Sequence, residues 1–178
     1  MKIGLILPMT GPFASTGRQI EAAVKLYMQQ HGDTVAGKRI QLIVKDDTGV
    51  ADVTKRLAQE LIVNDKIAVM AGFGLTPLAL ASAPLATQAK VPAVVMAAAT
   101  SAITEASPYV VRTSFTLPQA TVPTAEWAAQ NGIKKVTTLV SDYGPGIDAE
   151  KAFIGAFSKA GGQVESLRVP LQNPDFSP

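Results

Sequence analysis

Residues 67–97 read IAVMAGFGLTPLALASAPLATQAKVPAVVMA, and the order of residue types in this stretch decides the fold. "IAVMAG" (67–72) is a short, almost wholly apolar run, the pattern of a strand buried on both faces. "TPLALASAPLATQA" (76–89) follows as a helix, with Thr76 expected as N-cap, Pro77 at the favoured first helical position and Pro84 expected to kink or interrupt it. "VPAVVMA" (91–97) is again a strand. Two apolar strands joined by a helix imply a right-handed crossover and parallel pairing.

The same alternation extends to the N-terminus. "IGLILP" (3–8) is a strand, and from Gly17 the residues Ile20, Ala23, Val24, Tyr27 and Met28 recur at helical spacing. "RIQLIVKDD" (39–47) is a second strand, and Val53, Leu57 and Leu61 mark one face of a helix over 52–63. Further on, "SPYVVRTSF" (107–115) reads as a strand and "TLPQATVPT" as a change of direction before a helix near 124–131. "KKVTTLVSD" (134–142) then opens a strand–helix–strand unit that ends in "QVESLRVPL" (163–171). The fold class is therefore α/β: a three-layer parallel-sheet lobe over 1–115, then an incomplete second α/β lobe over 116–178. Two strands and one or two helices cannot cover both faces of a sheet. The sequence is thus read as part of a longer two-domain chain, with self-association through the unfinished sheet as a further expectation.

Composition narrows the function. The chain has 178 residues, is 47% hydrophobic and 17% charged, and carries a net charge of +2. Its Lys and Arg are scattered, so no nucleic-acid surface is expected. With no cysteine, disulfides and thiolate metal sites are excluded. The single histidine, His31, stands before Gly32 as a solvated helix end, and no serine lies in a GxSxG elbow. No cofactor is expected.

In parallel α/β sheets ligands bind beyond the carboxyl ends of the strands, so four loops matter. "MTGPFASTG" (9–17) ends in Ser15 or Thr16 as a cap with open amides. "KDDTG" (45–49) carries Asp46 and Asp47, which could hold Mg²⁺ or accept a phosphoryl group. Such a site needs acidic partners that the first strand end lacks, so turn formation and capping of the next helix is the preferred role. "AGFGLTP" (71–77) has a GxG turn without the third glycine of a dinucleotide fingerprint or the Lys-Ser/Thr of a phosphate loop. "AAATSA" (97–102) leaves the backbone approachable, and Thr100 can cap a turn and reach a ligand. The last two of these loops offer cradles of amides and hydroxyls without a basic residue, suited to a small carboxylate. Phe13, Phe73 and Phe115 could wall a ring, although some of them, Phe115 above all, are expected in the core. Asp142 and Asp148, flanking "YGPGI", are read as turn or helix-capping residues.

Taken in order, "IGLILPMTGPFASTGRQIEAAV", "GKRIQLIVKDDTG", "AGFGLTPLALASAPLA", "AAATSAIT", "YVVRTSF" and "SDYGPGIDAEKAF" resemble the periplasmic solute-binding proteins of branched-chain amino-acid ABC transporters. That resemblance implies a type I periplasmic-binding-protein fold, a hinged pair of lobes with ligand held between them, no enzymatic activity, a periplasmic location and membrane permease partners. It places ligand contacts at Thr76, at the backbone of Ala98, Ala99 and Thr100, near Thr16 and at Tyr143. Thr16 stands where the family often has an aromatic residue. Amino acid and aromatic acid both remain open as ligands. A sensor domain of the same fold and a metal- or phosphoryl-dependent enzyme using Asp46–Asp47 are the alternatives.

Overall fold

The computed structural model describes residues 1–171, and its elements run β1 (Lys2–Leu7), α1 (Ala14–His31), β2 (Thr34–Val35), β3 (Lys38–Arg39), β4 (Gln41–Asp46), α2 (Ala51–Val63), β5 (Val69–Gly72), α3 (Thr76–Ala89), β6 (Ala93–Val95), a 3₁₀ turn (Ser101–Glu105) and β7 (Val110–Arg112). These are followed by α4 (Leu117–Gln130), β8 (Lys135–Ser141), α5 (Gly144–Lys159) and β9 (Gln163–Val169). The chain divides into two units, 1–98 with 102–114, and 99–101 with the residues from Phe115 onward.

The first unit holds a five-stranded sheet in the order β4-β1-β5-β6-β7. All its pairings are parallel. Chain order reverses between β1 and β5, since β4 lies on one side of β1 and every later strand on the other. That is the position at which doubly wound sheets open a crevice at their carboxyl ends.

Alternation along the strands sorts the two faces. Ile6, Met70, Ala93 and Val95 point into one cluster with Leu57, Leu61, Ala79, Ala83 and Ala86 of α2 and α3. Ile3, Leu5, Val69, Ala71, Val94 and Met96 point the other way, where with Ala23, Val24, Tyr27 and Met28 of α1 they line an apolar groove of about 480 Å³. The face of α1 anticipated from sequence therefore meets the sheet but does not close on it, and Tyr27 is left 64% exposed.

The second unit contains the parallel pair β8–β9, with α4 and α5 packed through Ala125, Ala128 and Phe157. Here one expectation is corrected. The "TLPQATVPT" stretch is the first half of α4, not a turn. Thr116 and Gln119 form a capping box, with Gln119 Oε1 accepting from Thr116 N–H at 2.7 Å and Thr116 Oγ1 accepting from Gln119 N–H at 3.4 Å. Pro118 sits in the first turn, where its missing N–H breaks no helical bond.

Three smaller differences are local. The helix over 76–89 runs through Pro84 without interruption. Its cap is Leu75, not Thr76, and Pro77 is the second helical residue. A two-residue hairpin, β2–β3, precedes β4 and was too short to show a period in the sequence.

Candidate functional site

In the first unit the carboxyl ends of β1, β5 and β6 are sewn together by backbone bonds. Phe73 N–H donates to Ile6 O at 2.9 Å, Met96 N–H to Gly72 O at 2.8 Å, and Ala98 N–H to Phe73 O at 3.1 Å. This close approach depends on Gly72, whose φ is +118° and whose notional Cβ would lie 2.1 Å from Ile6 O. Phe73 follows with φ +66°, a left-handed conformation uncommon for a bulky residue and frequent at ligand sites. Its ring is 1% exposed within the core, so it supports the loop from beneath and does not form an open wall. Phe115, expected in the core, is 55% exposed.

The loop after β1 is held by Asp46 at the end of β4. Asp46 Oδ1 accepts from Met9 N–H and Thr48 N–H, each at 2.8 Å, and Oδ2 accepts from Thr10 Oγ1 at 2.7 Å. Burial pushes this carboxyl up, but the bonds from Thr10, Thr48 and Met9 outweigh it and hold the group below its ordinary value. Asp47 is fully buried, its oxygens accepting from Gly49 N–H at 3.0 Å and Thr54 Oγ1 at 3.1 Å. There burial dominates and raises the carboxyl above its ordinary range. The cap of α2 is Val50, with no side-chain bond, so Asp47 braces the loop without capping the helix. Both carboxylates are thus engaged by protein donors, Asp46 chiefly by the loop after β1 and Asp47 by Gly49 and Thr54. Among the described residues no group of three or more His, Asp or Glu side chains could hold a metal ion.

Helix α1 begins earlier than sequence suggested. Ala14 N–H donates to Gly11 O at 3.2 Å, Phe13 occupies the cap position, and neither Ser15 nor Thr16 caps. Thr16 lies in the first turn, its N–H on Phe13 O at 3.1 Å, and Phe13 is half-buried near Gly49. Gly17 packs hard on the end of β1, where a Cβ would lie 2.1 Å from Pro8 O. Thr76 is 2% exposed at the start of α3, and Ala98 is 3% exposed. The first unit therefore gathers Phe13, Thr16, Phe73, Thr76 and Ala98 onto the carboxyl-end loops of one sheet.

In the second unit, Ala99 and Thr100 belong to a segment pinned at both ends. Leu117 N–H donates to Ala99 O at 2.9 Å. Ser101 donates to Asp148 of α5 twice, from its N–H to Oδ2 at 2.8 Å and from its hydroxyl to Oδ1 at 2.6 Å. Both Ala99 and Thr100 are 9% exposed. Tyr143 is the cap residue of α5, and burial raises its hydroxyl further above neutrality, leaving a neutral phenol. Arg168 donates through Nε and Nη2 to the buried Glu150 Oε2 and holds that carboxyl below its ordinary range.

The sequence pointed to these loops but missed the anchors. Asp46 to Met9 and Asp148 to Ser101 are bonds across 37 and 47 residues, which no local pattern encodes.

A parallel doubly wound sheet whose carboxyl-end loops present small side chains, amides and hydroxyls defines a ligand-binding α/β protein of the type I periplasmic-binding-protein class. The chain belongs to the periplasmic binding protein family, which matches it over residues 1–178. It is 48% identical to a Leu/Ile/Val-binding protein homolog of Brucella abortus, with 100% of this chain and 46% of that protein aligned. A solute-binding protein of an ABC transporter from Rhodopseudomonas palustris BisB5, solved in complex with 3,4-dihydroxybenzoic acid, is 65% identical, with a TM-score of 0.97 over 100% of this chain and 49% of that one. Another from R. palustris, solved with 4-hydroxybenzoate, is 49% identical, with a TM-score of 0.95 over 99% and 48% of the two chains. The chain thus spans about half the length of the relatives it matches. The family consists of solute-binding proteins, not enzymes.

Proposed function

We propose that the protein carrying this chain is an extracytoplasmic solute-binding protein that captures a small aromatic carboxylate, a hydroxylated benzoate, and delivers it to the membrane permease subunits of an ABC transporter. The observation that carries this reading is the 65% identity, over the whole chain, to a protein solved with 3,4-dihydroxybenzoic acid. The site's chemistry supports it. A carboxylate is held by amide and hydroxyl donors, and each charge-assisted bond contributes about 1.5–3 kcal/mol. An α-amino acid also needs an anion for its ammonium group. Asp46 and Asp47, the acidic groups at these strand ends, are already engaged, Asp46 by Met9, Thr10 and Thr48 and Asp47 by Gly49 and Thr54.

The proposed ligand contacts in the first unit are Thr76 and the backbone of Ala98, with Phe13 and Thr16 on the neighbouring loop. Ala99, Thr100 and Tyr143 are the proposed contacts from the second unit. Burial of Thr76 and Thr100 strengthens any bond they make, because water no longer competes. Phe73 acts beneath the site, as packing.

The competing reading, a branched-chain amino acid, draws on the Leu/Ile/Val-binding homologs. A thermal-shift screen against hydroxybenzoates, benzoate, leucine, isoleucine and valine separates the two. Stabilisation by hydroxybenzoates supports the proposal, and stabilisation by the aliphatic amino acids alone overturns it.

A further inference from the structure

The segment 99–101 contains two of the proposed ligand contacts, yet its own backbone makes no strand or helix before Ser101. Its conformation is set from outside. Leu117 N–H fixes the carbonyl of Ala99, and Asp148 takes both the amide and the hydroxyl of Ser101 at 2.8 and 2.6 Å. A carboxylate that accepts two donors from one residue fixes that residue's orientation as well as its place. With both neighbours held, the peptide planes on either side of Thr100 have little freedom. Asp148 itself sits on α5, a regular helix running from Gly144 to Lys159, so the anchor is rigid.

We propose that Asp148 is a positioning residue for ligand binding: by holding the amide and hydroxyl of Ser101, it fixes the Ala99–Thr100 backbone in the orientation that receives the ligand's carboxylate. This rests on the reading of the site above. Asp148 touches no ligand in this scheme and acts only through Ser101. A preorganised segment binds more tightly because its ordering cost is met before the ligand arrives.

The test compares wild type with Asp148→Ala, Asp148→Asn and Ser101→Ala, alone and combined. Affinity for 4-hydroxybenzoate is read by titration calorimetry, and amide hydrogen exchange over 99–102 is read without ligand. Loss of charge-assisted bonds predicts that Asp148→Ala weakens binding about tenfold or more and speeds exchange at Ser101. Asp148→Asn, which still offers an oxygen to the Ser101 amide but lacks the charge, should recover part of that loss. Ser101→Ala added to Asp148→Ala should cost much less than Ser101→Ala costs alone, because the two are coupled through their hydrogen bond. If Asp148→Ala does not fold, Ser101→Ala alone must still weaken binding severalfold. Faster exchange at Ser101 with unchanged affinity overturns this inference alone. Failure of the wild type to bind any hydroxybenzoate overturns the reading of the site, and this inference with it.

Discussion

Replacing Gly72 with alanine tests how the strand ends come together. The new Cβ would lie 2.1 Å from the Ile6 carbonyl oxygen, against an ordinary carbon–oxygen contact of about 3.3 Å. The strand end must shift by about 1 Å, and that shift breaks the 2.9 Å bond from Phe73 N–H to Ile6 O. Leaving a buried amide without its partner costs about 1–3 kcal/mol. The φ of +118° adds strain of about 1–3 kcal/mol for any residue with a side chain. The sum, about 2–6 kcal/mol, is a large share of the 5–15 kcal/mol that holds a domain together. Urea unfolding followed by far-UV circular dichroism measures it. Gly155→Ala is the control, since a Cβ there meets nothing within 4 Å inside α5, and helix propensity predicts a gain of about 1 kcal/mol. If Gly72→Ala unfolds within about 1 kcal/mol of wild type, the close approach of β1 and β5 does not constrain the fold as argued.

Asp47, raised by burial, contributes stability that is greatest in acid and is lost as pH climbs through its folded pKa. The stability of wild type relative to Asp47→Asn should therefore decline as pH rises above the ordinary carboxyl range, and a flat difference refutes this. Asp46 has the opposite sign: its lowered pKa gives stability above the ordinary value of 3.8 that is lost as pH falls through the folded pKa. Asp46→Ala should speed amide exchange at Met9 and Thr48 at neutral pH, and unchanged protection there would show that the loop is held by something else. Thr116→Ala removes half of the capping box of α4 and should cost about 1 kcal/mol in the second unit; equilibrium unfolding followed by Trp127 fluorescence measures it, and no change would mean that Gln119 alone holds the helix start.

The alternation of apolar strands and periodic helices was legible from residues 2–97, because burial of both sheet faces writes itself into continuous runs such as IGLIL and IAVMAG. The stretch over 117–123 misled for a physical reason: proline and threonine suggest a turn, yet Pro118 in a first turn and Thr116 as cap are helix-starting signals. Thr76 at the start of α3 and Thr100 after β6 follow the carboxyl ends of strands, as read from sequence, but whether a hydroxyl lies open or buried depends on packing that no local pattern records. Phe73 and Phe115 exchanged their expected roles for the same reason. Asp46 was read as a turn residue, and its larger part, holding the loop after β1, required the three-dimensional pairing of β1 with β4.

In the proposed site, amides and alcohols at these strand ends grip a carboxylate. Calorimetric titration with 4-hydroxybenzoate and with 4-hydroxybenzyl alcohol, which keeps the ring and phenol but lacks the acid, tests it most directly. Losing two or more charge-assisted bonds predicts binding of the alcohol weaker by about 100-fold or more. Equal affinities for the two would place the grip elsewhere on the ligand and contradict the account.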